Sequence, residues 1–293
     1  MAMERMMRKL FAVFTVVLVI VAIWYAAAVK MNAKWAYDQA ARAKVEISFS
    51  ELVKDTWAQE RPVLPAPHQV MTELWKTTVG KKITSKRSLI FHGWITLEAT
   101  LLGFITGTLL GIALSVGIIY IRAMDMSVMP WAIASQTVPI LAIAPMIIVV
   151  LNSVGIQGLI PKAIISAYLS FFPVLVGMVK GLRAPDHMQM DLLKTYNASK
   201  SDAFYKLRLP SSVPYLFTSM KVGIAASLVG TIVGELPTGA IRGLGARLLT
   251  GSYYGQTIQM WAALFAAALL AAGLVALVGL AEKSVLKKMG MVR

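Results

Sequence analysis

The sequence predicts an all-α, polytopic membrane protein with about six transmembrane helices. Hydrophobic residues fill 57% of its 293 positions and charged residues only 15%, against about one quarter charged in soluble domains. Runs of roughly 20 mostly apolar residues, the length that crosses a bilayer, recur along the chain. Ionisable groups inside these runs are sparse, with Glu98 and Glu235 the main acidic candidates.

The expected spans are 11–29, 89–121, 128–151, 163–179, 217–236 and 258–280. The second is over-long, which implies tilt or an interfacial start. Residues 1–29 resemble a signal peptide at Ala26-Ala27-Ala28. Their apolar stretch is longer than the about 7–15 residues usual there, so a retained helix is expected. A division into 1–88, 89–281 and a basic tail 282–293 follows, with a polar loop at about 182–212 inside the second part.

Charge suggests an orientation. Arg5, Arg8 and Lys9 precede the first span, while Trp24 and Tyr25 stand near its far end as interfacial anchors. An N-terminus in the cytoplasm follows from the excess of basic residues there. Alternation then puts Arg122, the 180–212 region and the tail residues Lys283, Lys287 and Lys288 on the same side. The 30–88 loop, also rich in lysine and arginine, runs against this pattern, although long loops obey the rule weakly. A net charge of +15 fits loops held against anionic lipid headgroups and gives no reason to expect nucleic acid.

The 30–88 loop carries its own helix signals. Ser48-Phe49-Ser50-Glu51 has capping-box spacing. After Pro62, Pro65 and Pro67, the residues Val70, Met71, Leu74, Trp75 and Val79 share a helical face. An amphipathic helix lying on the membrane surface is the expectation.

Several chemistries have no residues to support them. With no cysteine, disulfides and thiolate chemistry are excluded. His68, His92 and His187 are far apart and form no metal-ligand motif. No Gly-x-x-x-x-Gly-Lys-Ser/Thr loop cradles nucleotide phosphates, and no Gly-x-Ser-x-Gly or His-Glu-x-x-His occurs. A proton-coupled carrier would need acids at mid-bilayer, where a charge costs at least roughly 2.5–3.5 kcal/mol. Glu98 and Glu235 lie instead towards helix ends.

The most informative stretch is the polar island at 186–210. Asp186 reads as a helix cap after Pro185. Met188, Leu192 and Tyr196 recur at four-residue spacing with Leu193 beside them, and Asn197 can take the left-handed conformation that ends a helix. Ser199 to Asp202 can cap a second short helix, which Leu209-Pro210 is expected to halt before Pro214 opens the next span. A plain solvated helical hairpin also satisfies this pattern.

The same stretch resembles the signature of permease subunits of ABC importers, Glu-Ala-Ala-x-x-x-Gly followed a short helix later by Ile-x-Leu-Pro. Asp191-Leu192-Leu193 stand at the first triplet, Asn197 at the glycine and Arg208-Leu209-Pro210 at the ending. Spacing is kept, while the acid, both alanines and the glycine are replaced. Leu64-Pro65-Ala66-Pro67, the run from Thr100 to Gly111, Ile140 to Pro145, Phe172-Pro173, Gly234-Glu235 and Gly243-Leu244-Gly245 are similar to the nitrate/sulfonate/taurine branch of type I importers. They occur in order over nearly all of the chain after residue 60.

That resemblance implies an ATP-driven, binding-protein-dependent importer. This chain would pair with a second permease copy about a two-fold axis in a bacterial inner membrane, both termini cytoplasmic. Two cytosolic ABC ATPases would carry ATP and magnesium, this chain would bind no cofactor and perform no hydrolysis, and a periplasmic solute-binding protein would deliver the solute. Sulfonate, nitrate, bicarbonate and heterocycles such as a pyrimidine or riboflavin are the solutes such permeases handle. The segment Asp191, Leu192, Leu193, Tyr196, Asn197, Ala198 and Ser199, with Arg208, Leu209 and Pro210, would form the contact with the ATPase. Gln136, Thr137, Pro139 and Glu235 are candidates to line the pathway, although Glu235 also reads as an acid solvated at a helix end. A proton-coupled secondary transporter and a non-transporting membrane scaffold are the alternatives.

Overall fold

The computed structural model describes residues 2–236 and 242–291, apart from the side chains of 2, 3, 5, 6 and 9. Arg5 and Lys9 of the expected basic flank fall among those side chains, and Pro237 lies outside the described residues. All regular structure among the described residues is helical.

Helix α1 runs over Ala2–Ala43, well past the expected end at residue 29. Its extension is explained by Ala28, Asn32 and Ala36, which recur every four residues and are all buried, so the second half packs one narrow stripe against protein. Helix α2 (Phe49–Ala58) starts at Ser48, whose N–H donates to Glu51 Oε2 at 2.9 Å. Helix α3 (Pro67–Thr78) starts with proline in its first turn, where the missing N–H costs nothing. The expected single apolar face of α3 is divided. Val70 is buried at 1% exposure, whereas Met71, Trp75 and Val79 are more than half exposed.

Helix α4 spans Leu89–Tyr120. Helices α5 (Arg122–Ser135) and α6 (Ile140–Ser153) meet at 99°, so the third expected span is a broken pair rather than one rod. Pro139 explains the break: it begins α6, lacks an N–H, and disfavours helical backbone at Val138. Helices α7 (Leu159–Leu182), α8 (His187–Thr195) and α9 (Lys200–Ala203) follow, then a π turn at Phe204–Arg208. Helix α10 (Leu209–Glu235) continues directly from that turn. Leu209-Pro210 therefore does not halt the helix. The Leu209 N–H donates to Phe204 O, and this longer turn absorbs the register that Pro210 would otherwise break. Helices α11 (Leu244–Tyr253) and α12 (Thr257–Lys288) complete the chain. Among the described residues, five helices are long and apolar enough to cross a membrane, or up to six with the bent pair as one span.

The chain divides into two compact units, 1–90 with 247–266 and 91–246 with 267–293. In the first, Asn32 is a fully buried hub. Its Oδ1 accepts from the N–H groups of Val63 (2.8 Å) and Leu64 (3.1 Å), and its Nδ2 donates to Leu64 O at 2.8 Å. One side chain thus satisfies the backbone of the proline-rich segment that enters α3. Trp24 Nε1 donates to Pro65 O at 2.9 Å, and Tyr25 Oη is 3.2 Å from His68 Nδ1. Trp24, expected as an anchor at the membrane surface, thus bonds backbone of the segment that enters α3, and Tyr25 bonds an exposed histidine.

The second unit is organised on α7. Cβ atoms at Gly103 and Gly107 of α4 would lie 2.3 and 2.2 Å from Ser166 Oγ and Ser170 Oγ of α7. On the α10 flank a Cβ at Gly230 would lie 2.9 Å from Ser166 Cα. Small residues let the three backbones approach closely, the packing available where lipid offers no hydrophobic gain. Hydroxyls stitch the seam: Ser166 Oγ and Ser227 Oγ are 2.5 Å apart, and Ser227 Oγ also lies 2.8 Å from Thr100 O. Gly103 and Gly107 therefore pack within one subunit. Ile118, Ala132, Leu175 and Val179 form an apolar cluster that joins α5 to α4 and α7. Lys221 of α10 pairs with Glu282 of α12.

Candidate coupling surface and buried polar node

The polar island folds as two short helices around a left-handed break. The N–H of Asp186, which precedes α8, donates to Gln189 Oε1 at 3.2 Å. At the other end the N–H of Asn197 bonds to Lys194 O and that of Ala198 to Leu193 O, both at 2.9 Å. This is the Schellman pattern, which needs positive φ at the residue after the cap. Asn197 supplies it at φ 52°, so asparagine occupies the signature's glycine position in the conformation glycine favours. Ser199 and Asp202 then cap α9 reciprocally: the Asp202 N–H donates to Ser199 Oγ at 3.0 Å and the Ser199 N–H to Asp202 Oδ2 at 3.3 Å.

Between these caps α8 presents apolar side chains outward. Met188, Leu192 and Tyr196 are 79%, 56% and 77% exposed, while Leu193 is half-buried. Asp191 and Lys194 form an exposed ion pair of 2.8 Å beside them. The hydrogen bond and charge of Lys194 hold the Asp191 carboxyl below its ordinary range. Arg208 is turned away from this rim. Its Nη1 donates to Leu182 O at 3.0 Å, satisfying a carbonyl in the last turn of α7. Leu209 and Pro210 lie in the first turn of α10, and Ala198 is half-buried between the short helices.

The four pathway candidates are separated. Gln136, Thr137 and Pro139 lie at the break between α5 and α6, with Gln136 Nε2 3.2 Å from Ser135 Oγ. Glu235, at the end of α10, is fully buried, not solvated at a helix end. Its carboxylate accepts from Thr96 Oγ1 at 3.0 Å and from the Gly245 N–H at 2.8 Å, and Lys162 Nζ lies 3.5 Å away. Lys162 also donates to Arg242 O at 3.4 Å. His92 Nδ1 accepts from the Gly243 N–H at 3.0 Å, and Thr96 Oγ1 accepts from the Leu244 N–H at 2.9 Å. A Cβ at Gly243 would lie 2.2 Å from the Glu235 carboxyl, and one at Gly245 would lie 2.8 Å from Glu235 Cβ. Gly243-Leu244-Gly245 thus has a physical reason: both glycines let backbone close over an acid. Glu98, by contrast, is exposed on α4.

Lys162 and His92 carry no assignment from sequence. Lys162 stands alone at the start of an apolar run, and its pairing with Glu235 joins residues far apart in the chain. A lone cation beside a span and a lone acid ending another were the available signal.

The family of binding-protein-dependent transport system inner membrane components matches residues 83–290. The chain is 30% identical to the formylaminopyrimidine transport permease protein of Halalkalibacterium halodurans, over 62% of this chain and 68% of that one. It is 28% identical to a probable ABC transporter permease protein of Haemophilus influenzae, over 69% and 77% of the two chains. Identity to the riboflavin transport system permease protein of Chloroflexus aurantiacus is also 28%, over 75% and 78%. The helical membrane fold, the island at 186–210 and these likenesses together place the chain in the binding-protein-dependent transport system inner membrane component family, as a permease of an ABC importer.

Proposed function

We propose that this permease works as one half of a two-fold pair, driven by two ATPase subunits that grip residues 187–203 from the cytoplasm. Both termini share that side. The ATPases hold ATP and magnesium, and this chain contributes the membrane path. The observation that supports the reading best is the exposed row of Met188, Leu192 and Tyr196 on a helix capped at both ends. Apolar anchors with a charged rim are the layout of a protein interface, and the caps keep the helix rigid enough to transmit force.

For the solute we propose a small heterocyclic compound, delivered by a periplasmic binding protein. The names of two relatives, the formylaminopyrimidine and riboflavin permeases, support this class, and so does the scarcity of exposed charge within the apolar helices. The test is affinity purification of the chain from its native membrane, identification of the co-purifying subunits, and native mass spectrometry of the binding protein. Two ATPase copies per permease pair and a bound heterocycle are the expected results. A binding protein loaded only with an inorganic oxyanion overturns the solute assignment, and a chain purified active without an ATPase overturns the mechanism.

A further inference from the structure

Helix α10 joins two unlike ends. One continues through the π turn at Phe204–Arg208 into the capped helices α9 and α8. The other ends at Glu235, buried among Thr96 of α4, Lys162 of α7 and the backbone of Gly243–Gly245. Its 27 residues make a rod on the order of 40 Å long. The far-end fastening combines a fully buried acid and a nearly buried lysine with backbone N–H and C=O groups of one short segment. A buried ion pair is weak evidence of stability, because apolar residues of similar volume hold a core at least as well. What this pair adds is direction. Glu235 accepts from Gly245, Lys162 donates to Arg242 and His92 accepts from Gly243, so one short stretch of backbone is held to three helices by hydrogen bonds of fixed geometry.

We infer that Glu235 and Lys162 are positioning residues for the transport step: their pair fastens the Arg242–Gly245 segment to the end of α10, so that displacement at residues 187–203 arrives at that segment. This rests on the reading of 187–203 as the surface the ATPase grips. The segment moves with α10 while the node is intact and is released from it when either charge is lost.

Because the chain has no cysteine, Arg242→Cys, at an exposed position, supplies a single thiol. Its rate of maleimide labelling is measured in the complex with its ATPase subunits, nucleotide-free and trapped with ATP and vanadate. Trapping is expected to change the rate several-fold. Adding Glu235→Gln or Lys162→Met is expected to abolish that response, and exchanging the charges, Lys162→Glu with Glu235→Lys, to restore part of it. A role in stability alone would lower yield yet leave the nucleotide response intact, which would overturn the inference, as would a parent rate indifferent to nucleotide. Where loss of charge prevents assembly, Gly245→Ala puts a methyl carbon 2.5 Å from Ile232 O and 2.8 Å from Glu235 Cβ, which forces the Gly245 N–H off the Glu235 carboxylate that it bonds and is expected to blunt the response; a full response there also overturns the inference. Retention of the ATPase subunits by a Leu192→Asp, Leu193→Asp variant would instead remove the underlying reading of 187–203.

Discussion

The two ends of α10 solve opposite problems with polar residues. At 187–203 the polar groups are local: caps and an ion pair no more than a few residues apart hold a small exposed helix in shape. At Glu235 they are distant in sequence, drawn from α4, α7, α10 and the Arg242–Gly245 backbone, and they are hidden. The first end is exposed and the second is closed. A surface meant for a partner must be rigid before the partner arrives, and local capping does that cheaply. A junction of several helices needs long-range bonds, and burial strengthens them.

The largest effect should come from breaking the exposed end. Leu192→Asp with Leu193→Asp places two charges in the apolar centre of the expected interface. Loss of hot-spot contacts worth ≥ ~2 kcal/mol weakens association by more than about 30-fold, so the ATPase subunits should no longer co-purify, with membrane insertion unchanged. Next comes the hidden end. Glu235→Leu leaves Lys162 buried without its partner, a change that costs roughly 3–5 kcal/mol. The melting temperature of the purified protein should fall sharply, and adding Lys162→Met should recover much of the loss.

A smaller effect tests the seam between those ends. Gly107→Val drives a side chain into Ser170 and the Ala167 carbonyl, 2.2 and 2.8 Å from the first added carbon. Overpacking of that kind costs about 1–3 kcal/mol. Gly273→Ala meets nothing within 4 Å and should be neutral or stabilising by thermal denaturation. The smallest concerns Asn197. Replacement by alanine at φ 52° should cost about 1–2 kcal/mol, whereas glycine should match or slightly exceed the parent in the same measurement.

The contrast also explains what could be read from sequence. Most of the spans were legible as long apolar runs, and the Ser48, Asp186 and Ser199 caps and the left-handed Asn197 because each depends on residues within one or two turns. The break at Pro139 was half legible: proline announced a disturbance, but a 99° bend is decided by what packs around it. The continuation of α10 through Pro210 was not, since a π turn leaves no compositional mark. Glu235 looked like a solvated helix end because its partners, Thr96, Lys162 and Gly245, are brought to it only by the packed seam. The bonds of Trp24 to Pro65 and of Tyr25 to His68 were not legible, since they join residues 41 and 43 positions apart.

The central claim is that residues 187–203 face the cytoplasm and are covered there by an ATPase. A single Tyr196→Cys in this cysteine-free chain, probed with a membrane-impermeant maleimide, tests both parts at once. The account predicts labelling only from the cytoplasmic side, slow in the assembled complex and fast once the ATPase subunits are stripped away. Labelling from the opposite side, or at one rate with and without those subunits, would contradict it.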